Sequence, residues 1–386
     1  MATESACLLI ADISGYTSYL TGVELDHAQD ILADLMETIV RALRPGFQLA
    51  KLEGDAAFTF SVTEKVDGSL LLDTIERCYF GFRRRRRDVR QATSCECNAC
   101  VRIPDLNLKF VIHHGTVQRQ RVAGHMELLG SDVILVHRLL KNEVVGSTGI
   151  EAYALLTQRC VDVMDVDVAA LGMRAGSESY EHIGVVPVWI HDLDRRWSEE
   201  ESRSRVVVDE RRAAVSFDTP TSAPPQLAWE FVTTPGRRTN WQIGVTGVET
   251  TATGNRRGVG ATNHCMHGKD TSIEELLDWR PYDYFTYRNT VPTPMGPVRF
   301  LVTTAFEDTP DGTILHQRFA APKTPKERTI MTQMTPWIRD VMLKSTALLA
   351  EQLDEELERR GRDATEEPAL PRARPDGPLA GMSSNS

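Results

Sequence analysis

The stretch that decides the fold of this chain is Lys51-Leu52-Glu53-Gly54-Asp55, which lies between two apolar runs. Gly54 supplies the backbone freedom that a tight turn demands, so the stretch predicts a β-hairpin. A second stretch, residues 7–12, is a short apolar run that ends in the carboxylate of Asp12. Two aspartates, each at the end of a buried strand, offer the one or two carboxylates that Mg²⁺ takes alongside substrate phosphates. Asp12 and Asp55 together therefore predict a divalent metal site.

The residues that follow Asp12 add a place for phosphate. Gly15, Tyr16 and Thr17 stand where the apolar run gives way to a predicted helix. The free amides at a helix start attract anions. We therefore expect a phosphate group to lie at these three residues.

These motifs resemble those of the class III nucleotidyl cyclases. Residues 11–17 resemble the metal-binding strand of that family, and residues 51–55 resemble its hairpin. A third piece follows in order, at residues 111–115, 127–133 and 137–139. The resemblance covers about residues 5–192.

The resemblance implies an activity and a set of ligands. The family converts a nucleoside triphosphate, here ATP, to a cyclic nucleotide and pyrophosphate with two divalent ions, Mg²⁺ or Mn²⁺. The residues implied as metal ligands are Asp12, Ile13 and Asp55. The alternative is that Asp12 caps a helix and Asp55 is an ordinary turn residue.

Lys51 and Glu127 match the pair that recognises the base in the family. A lysine ammonium only donates, which suits N1 of adenine, and a carboxylate only accepts, which suits the 6-amino group. The pair therefore favours ATP over GTP. Cytosine presents a similar edge, so a pyrimidine nucleotide remains an alternative. Either side chain could instead be a solvated surface residue.

Arg138 matches the arginine that stabilises the charge developing on the phosphate. One turn earlier the family carries an asparagine that orients the ribose, and this chain has Ile134 there. Isoleucine makes no side-chain hydrogen bond, and misplacement alone costs orders of magnitude in rate. His137 is adjacent to Arg138. A catalytically inactive sensor that binds nucleotide and metal is therefore the alternative to a cyclase.

The resemblance also implies a homodimer. In the family, the metal-binding aspartates come from one subunit and the base-reading lysine and the arginine come from the other. All of them are present once in this chain, so a head-to-tail pair of copies with two equivalent sites is expected.

A cysteine cluster lies between the predicted second helix and the next strand. Cys95, Cys97 and Cys100 form a C-x-C-x-x-C run, and three thiolates this close suit tetrahedral zinc in a structural site. The fourth ligand would be Cys78 or His114. The alternatives are a redox-sensitive loop or plain reduced cysteines.

The second half of the chain resembles START-like proteins of the polyketide cyclase (SRPBCC) type. The resemblance is carried by residues 225–231, 240–241, 258–260 and 278–281, together with a long amphipathic helix predicted over 325–359. This family places a curved antiparallel sheet around a terminal helix. The resemblance implies a cavity for an apolar, lipid-like small molecule, which could regulate the first domain or be the protein's whole function.

The predicted organisation is α+β with four parts. Residues 1–193 form a ferredoxin-like α/β sandwich of the cyclase type, and 194–210 form a linker or exposed helix. Residues 211–358 form the START-like helix-grip domain, and 359–386, rich in Pro, Gly and Ser, form a disordered tail. Within the first domain, helices are predicted at 26–43, 66–92 and 152–158, and a strand near 161–166.

Composition narrows the functional classes. The chain has 386 residues, 41% hydrophobic and 25% charged, with a formal net charge of −10. That charge argues against general binding of nucleic acid. No apolar run is long enough to span a membrane, and the start of the sequence lacks the features of a signal peptide. The odd count of 7 cysteines suits a reducing compartment, so a cytoplasmic location is expected.

Overall fold

The computed structural model describes residues 3–23, 25–44, 46–92, 97–122 and 125–363. Strands of the first half are β1 (Thr3–Ser14), β2 (Gln48–Glu53), β3 (Ala56–Val62), β4 (Asn107–Val122), β5 (His125–Leu129), β6 (Tyr153–Thr157), β7 (Arg174–Tyr180) and β8 (Gly184–Asp192). Its helices are α1 (Tyr16–Leu20), α2 (Leu25–Leu43), α3 (Gly68–Ala92), α4 (Asn98–Val101), α5 (Ser131–Arg138), α6 (Val144–Thr148), α7 (Gln158–Val161) and α8 (Leu193–Ser202).

Strands of the second half are β9 (Ala213–Thr221), β10 (Gly247–Thr251), β11 (Thr262–His267), β12 (Asp270–Arg280), β13 (Tyr284–Val291), β14 (Val298–Thr309) and β15 (Gly312–Ala320). Its helices are α9 (Pro225–Thr233), α10 (Pro235–Trp241) and α11 (Pro325–Asp363). The terminal helix thus begins where the sequence predicts and runs four residues further.

The first sheet has the order β2-β3-β1-β4-β6-β8-β7 within the described residues, with β5 paired to β4. The order β4-β1-β3-β2, joined by α2 and α3, is that of a ferredoxin-like unit. Strand β1 is an interior strand of this sheet, and its side chains are apolar on both faces. Leu9 packs in one core cluster with α2 and α3, and Leu8 packs in a second cluster that contains residues of α5.

The second sheet has the order β10-β11-β12-β13-β14-β15-β9, and every neighbouring pair is antiparallel. Helices α9 and α11 bury apolar residues against it, among them Trp229, Ile338 and Leu349. An antiparallel sheet with a long terminal helix packed against it is the predicted helix-grip arrangement. The predicted α+β class with two sheets is therefore confirmed.

Two local predictions in the first domain are wrong. The segment predicted as helix 152–158 contains β6, whose five residues are all buried. The strand predicted near 161–166 is instead the end of α7 followed by turns. A strand buried on both faces loses the alternation of apolar and polar residues, so its sequence resembles that of a short buried helix.

The segment predicted as a linker or exposed helix holds α8. Its Trp197 is buried in the core cluster of the first sheet, and its Glu200 accepts hydrogen bonds from Arg280 of the second sheet. The four-part division itself remains a prediction. Most of the predicted tail, residues 364–386, lies outside the described residues. Within the described part, no helix is both long and apolar enough to span a bilayer.

Candidate metal and nucleotide site

The β1–β3 pairing brings Asp12 and Asp55 to the same end of the sheet. Asp12 lies opposite Ala56 in the antiparallel register, and Asp55 precedes Ala56 in the turn. The main-chain N–H of Ile13 donates to the carbonyl oxygen of Asp55 at 3.0 Å, which fixes the turn against the end of β1. Gly54 has φ +67°, in the left-handed region, so the turn needs a glycine there.

A lysine that the motif analysis did not single out completes this group. Lys109 lies opposite Asp12 in the β1–β4 register. Its Nζ is 3.2 Å from Oδ2 of Asp12 and donates to the carbonyl oxygen of Leu140 at 3.3 Å. One ammonium therefore faces one of the two carboxylates and also contacts the chain just after α5.

The charge of this group is not balanced. Burial raises the pKa of Asp55, the nearby charge of Asp12 raises it further, and Lys109 opposes this only in part. Two carboxylates beside one lysine favour the arrival of another cation. The described residues contain no group of three or more His, Cys, Asp or Glu that could hold a metal. A divalent ion at this pair would therefore take its other ligands from main chain, water or phosphate, as Mg²⁺ commonly does.

The predicted phosphate residues lie at a very short helix. Gly15 has φ +87°, and a Cβ built there would lie 2.8 Å from the carbonyl oxygen of Asp105. Tyr16 and Thr17 begin α1, which has five residues. Ile13 is buried, so only its main chain could contact an ion. The phosphate role of this segment stays a prediction.

The predicted base-reading residues lie on two strands, β2 and β5, that contact each other without pairing. Lys51 is exposed on β2, and its Nζ is 4.0 Å from Oε1 of Glu53. Glu127 is half-buried on β5, opposite Gln120 of β4, and β5 contacts β2. The structure therefore brings the strands of this pair together, and leaves their role in base recognition a prediction.

Helix α5 presents Ile134 and Arg138 one turn apart, both exposed, with Ile134 59% accessible. The helix is fastened to the hairpin by a contact that sequence reasoning missed. Nδ1 of His137 is 2.8 Å from the carbonyl oxygen of Val133, and Nε2 is 3.1 Å from Oε2 of Glu53. Glu53 lies inside the hairpin motif, so its position was visible in the sequence, but its partner was not.

The start of α5 is held by a buried carboxylate. Asp132 accepts hydrogen bonds from the main-chain N–H of Thr116 at 2.7 Å and from Arg159 at 3.2 Å. A Cβ built on Gly115 would lie 2.4 Å from the Asp132 side chain, so the glycine makes room for it. Burial would raise the pKa of Asp132, but these contacts and His113 lower it. Gly115, which lies in one of the cyclase-like motifs, thus leaves room for the carboxylate that holds the start of α5, the helix that carries Arg138.

The cysteine cluster is only partly within the structure. Cys95 lies outside the described residues, while Cys97 precedes α4 and Cys100 is buried within it. The two candidates for a fourth ligand have other contacts. The Cys78 thiol donates to the carbonyl oxygen of Ile39 at 3.7 Å, and Nε2 of His114 is 2.9 Å from the carbonyl oxygen of Thr63. Structural zinc stays a prediction.

The second domain has a groove between its edge strand and the terminal helix. The groove has a volume of about 460 Å³ and is lined by β9, including Phe217, and by α11, including Leu343 and Thr346. Away from the groove, the guanidinium of Arg238 on α10 forms a bidentate ion pair with Glu274 of β12, at 2.7 and 2.8 Å. The volume is in the range of small-molecule sites.

The two halves of the chain match two different family models. Residues 212–354 match the family model described as Polyketide cyclase / dehydrase and lipid transport, which confirms the START-like resemblance. Residues 32–148 match a family described as Protein of unknown function (DUF2652). A protein of Mycobacterium tuberculosis (strain ATCC 25618 / H37Rv), "Uncharacterized protein Rv2561/Rv2562", is 36% identical over 162 residues, which are 42% of this chain and 73% of that protein.

Solved structures give similarity in fold. The adenylyl cyclase CyaB from P. aeruginosa is 15% identical, with a TM-score of 0.36, over 50% of this chain and 95% of that one. The guanylyl cyclase Cya2 is 14% identical, with a TM-score of 0.37, over 49% and 92%. Protein MLL2253 from Mesorhizobium loti is 20% identical, with a TM-score of 0.29, over 35% and 95%. At these values the similarity carries no functional conclusion.

Proposed function

This chain belongs to the family of the Mycobacterium tuberculosis protein named "Uncharacterized protein Rv2561/Rv2562", a name that states no activity. From the residues of the chain itself, we propose that its first domain is a class III-like nucleotidyl cyclase. It would bind ATP with Mg²⁺ or Mn²⁺ and form cyclic AMP and pyrophosphate between two copies of the chain.

The observation that carries this proposal is the unbalanced carboxylate pair. Asp12 and Asp55 lie at one end of the sheet, close enough that the charge of Asp12 raises the pKa of Asp55. Among the residues that the structure describes, Lys109 is the cation that faces the pair, through Asp12 Oδ2. A divalent ion with its bound triphosphate would satisfy both carboxylates, and the ion would activate the ribose hydroxyl and neutralise the phosphates.

The exposed side chains near this site support a second copy as the completing partner. Arg138 is exposed on α5, and Lys51 is exposed on β2. Large apolar side chains are exposed on the adjoining elements, at Leu52, Leu129 and Ile134. A contiguous exposed apolar patch marks a contact surface, and these three side chains would form one only if they are adjacent. A homodimer would cover them and bring Lys51 to the base, and Arg138 to the phosphates, of a nucleotide bound at the partner's aspartates.

Ile134 is expected to make turnover slow. The isoleucine side chain is exposed where the family's asparagine would hold the ribose. Without that hydrogen bond the attacking hydroxyl is less well oriented, which costs about 10²-fold or more in rate. ATP binding, which depends on metal and base contacts, would persist.

The test is to incubate the purified full chain with Mn²⁺ and ATP, GTP or CTP and to measure cyclic product and pyrophosphate. We expect cyclic AMP from the wild type, none from Asp55→Asn, and more than wild type from Ile134→Asn. Asp88→Asn, which removes an exposed carboxylate on α3, is the matched control and should behave as wild type.

Other outcomes have clear meanings. If no variant forms product but ATP with Mn²⁺ raises the melting temperature of the wild type and not of Asp55→Asn, the domain is a nucleotide sensor without turnover. If neither product nor a melting shift occurs, the nucleotide proposal is wrong.

A second function is favoured for the second domain by a separate observation. The groove of about 460 Å³ between β9 and α11 offers a small-molecule site, and the matching family model is described as including lipid transport. We infer that this domain binds a small amphipathic molecule. Quenching of its tryptophan fluorescence by bound hydrophobic probes would test this, and a response to none of them would contradict it.

A further inference from the structure

Helix α3 belongs to the cores of both halves of the chain. Its Leu72 and Phe82 are buried in the core cluster that contains Leu9 of β1. Its Leu70 packs instead against the core cluster of the second sheet, which contains Trp229. A helix that two cores share cannot unfold without exposing apolar surface of both, and such exposure opposes unfolding.

The side of α3 that faces the second sheet also carries polar side chains. Asp67 stands just before the helix, where its Oδ1 accepts from the main-chain N–H of Leu70 at 3.0 Å. Asp73 and Thr74 lie one turn after Leu70, and both are buried. Polar residues on one side of a helix usually face water. Because the second domain covers these side chains, they need partners from it.

A loop of the second domain brings two adjacent arginines to this side of α3. Nη2 of Arg257 donates to the two carboxylate oxygens of Asp67 at 2.9 and 3.0 Å. Nη2 of Arg256 donates to Oδ1 of Asp73 at 3.1 Å. We call residues 252–257 the clamp loop. This loop therefore holds both the residue that caps α3 and a carboxylate buried in the same helix.

The shape of the clamp loop depends on contacts with the first domain. The carbonyl oxygen of Gly254 accepts from the main-chain N–H of Asp167 at 2.9 Å, and a Cβ built on Gly254 would lie 2.8 Å from the carbonyl oxygen of Asp167. Asn255 has φ +58°, in the left-handed region, and its Nδ2 donates to the carbonyl oxygen of Asp165 at 3.1 Å. Left-handed backbone outside glycine costs free energy and persists only where surrounding contacts hold it.

A second turn of the second domain makes a similar contact. Tyr282, between β12 and β13, is buried and has φ +65°. Its hydroxyl oxygen is 2.7 Å from Oγ1 of Thr74 on α3, and its ring lies 5.8 Å from the ring of Trp229. The indole N–H of Trp229 donates to Asp73 at 3.3 Å. The aromatic core of the second domain is therefore hydrogen-bonded directly to α3.

We propose that the two domains unfold as one cooperative unit, coupled through α3 by the clamp loop and Tyr282, so that a ligand of either domain stabilises the other. Domains of one chain ordinarily move relative to each other unless a large apolar interface joins them. Here a shared helix takes the place of such an interface. A coupling between two binding sites acts equally in both directions. The ligand effect rests on the functions proposed above, and the common unfolding does not.

The test is native-state hydrogen exchange of the full chain at increasing urea, read by mass spectrometry as protection factors. The two sets of peptides to compare come from β1 and β14, which are interior strands of the first and second sheets. In the wild type, we expect both sets to have the same protection factor and to lose it with the same dependence on urea, since both would exchange through the same unfolding.

Arg257→Gln combined with Tyr282→Phe is the coupling variant. It removes the ion pair with Asp67 and the hydroxyl next to Thr74, and it keeps the aromatic ring. We expect one set of peptides to become at least about tenfold less protected than the other, because a charged and a neutral hydrogen bond between the domains are lost.

Arg119→Gln is the matched control, because it breaks a bidentate ion pair that lies within the first domain. Nε and Nη2 of Arg119 donate to the two carboxylate oxygens of Glu4 at 2.8 and 2.7 Å. If the domains form one unit, this change lowers the protection of the β14 peptides by the same factor as that of the β1 peptides. A fall confined to the first domain would overturn the proposal.

Mn²⁺ with ATP serves as the ligand. In the wild type it should raise the protection of the β14 peptides as much as that of the β1 peptides, and in the coupling variant it should protect β1 more than β14. Unequal protection of the two strands in the wild type, or equal protection in the coupling variant, would overturn the proposed coupling. Protection of neither domain by Mn²⁺ with ATP would overturn the nucleotide function, and equal protection without ligand would still support the common unit.

Discussion

The molecule holds two pairs of carboxylates that the chain treats in opposite ways. Asp12 and Asp55 lie at the end of the first sheet, half-buried, beside one lysine. Asp73 and Glu76 lie on α3, almost wholly buried, at 0% and 3% exposure. The difference between the pairs shows which acidic residues are available for a ligand and which are part of the structure.

The α3 pair is saturated by partners from both halves of the chain. Glu76 Oε1 is 2.8 Å from Nη1 of Arg256 and 3.0 Å from Nε of Arg196. Asp73 accepts from the indole N–H groups of Trp229 and Trp279, each at 3.3 Å.

Two guanidinium groups therefore balance two carboxylates. At the Asp12 and Asp55 pair, one ammonium faces two carboxylates, and the surplus negative charge is what a cation would bind. We expect a substitution in the buried pair, whose carboxylates all have partners, to lower the free energy of unfolding. We expect a substitution in the part-exposed pair, which has too few partners, to weaken the binding of a metal ion and nucleotide.

The largest expected effect on stability comes from a substitution in the α3 pair, Asp73 and Glu76. Glu76→Gln would remove the buried carboxylate that Arg196 and Arg256 share, leaving Arg196 paired with Glu199 and Arg256 with Asp73. We therefore expect a loss of about 3–5 kcal/mol in the free energy of unfolding, measured by urea denaturation. Glu64→Gln, at an exposed carboxylate, is the control and should change it by less than about 0.5 kcal/mol. A loss below about 1 kcal/mol for Glu76→Gln would show that the α3 pair is not structural.

The next expected effect is that the free energy of unfolding depends on pH through the α3 pair, Asp73 and Glu76. Burial raises the pKa of Asp73 to about 6, although Arg256 opposes this. Burial would also raise the pKa of Glu76, but Arg256 and Arg196 lower it well below its ordinary value. A raised folded-state pKa contributes stability that is present at low pH, below the unfolded-state value of 3.8, and is lost as pH rises through about 6.

Asp73→Asn removes this titration. Relative to the variant, the wild type should therefore lose on the order of 2–3 kcal/mol between pH 4 and 7. Unfolding free energies of both proteins at several pH values measure this. A constant difference between them across that range would contradict the raised pKa. Glu76 acts in the other direction, since its stabilising charge is lost only as pH falls below its ordinary range.

The Asp12 and Asp55 pair, which has too few partners, should affect the binding of ligand rather than the stability of the unliganded protein. With Mn²⁺ and ATP at about 100 times their dissociation constant, the wild type should gain about 2–3 kcal/mol in stability, seen as a higher melting temperature. Asp55→Asn should gain nothing, yet without ligand it should be as stable as the wild type, because the substitution removes a like-charge neighbour of Asp12. A large loss of stability in unliganded Asp55→Asn would make this pair structural too.

The smallest expected effect on stability comes from a substitution at the contact between Glu53 of the hairpin and His137 of α5. Glu53→Gln weakens the contact with His137, and both side chains are partly exposed, so the free energy of unfolding should fall by less than about 1 kcal/mol. The melting shift produced by Mn²⁺ and ATP should fall as well, because α5 carries Arg138. An unchanged ligand response would show that this link does not position the helix for nucleotide binding.

Much of this arrangement could be predicted from local sequence. The hairpin at Gly54 follows from the need for a left-handed residue, and α2 and α11 follow from apolar residues at helical spacing. Strand β6 could not be predicted, because Tyr153–Thr157 is buried on every side and therefore shows no alternation.

The identity and the order of the acidic and glycine residues at the first site follow from local sequence, because turn chemistry and strand ends are local properties. Which carboxylates have partners depends instead on contacts between distant segments. Lys109 reaches Asp12 because β4 pairs with β1, and Arg256 reaches Glu76 because the second domain packs on α3. Those partners lie about 100 and 180 residues away in the sequence, and charge compensation at such separations depends on packing that no local pattern encodes.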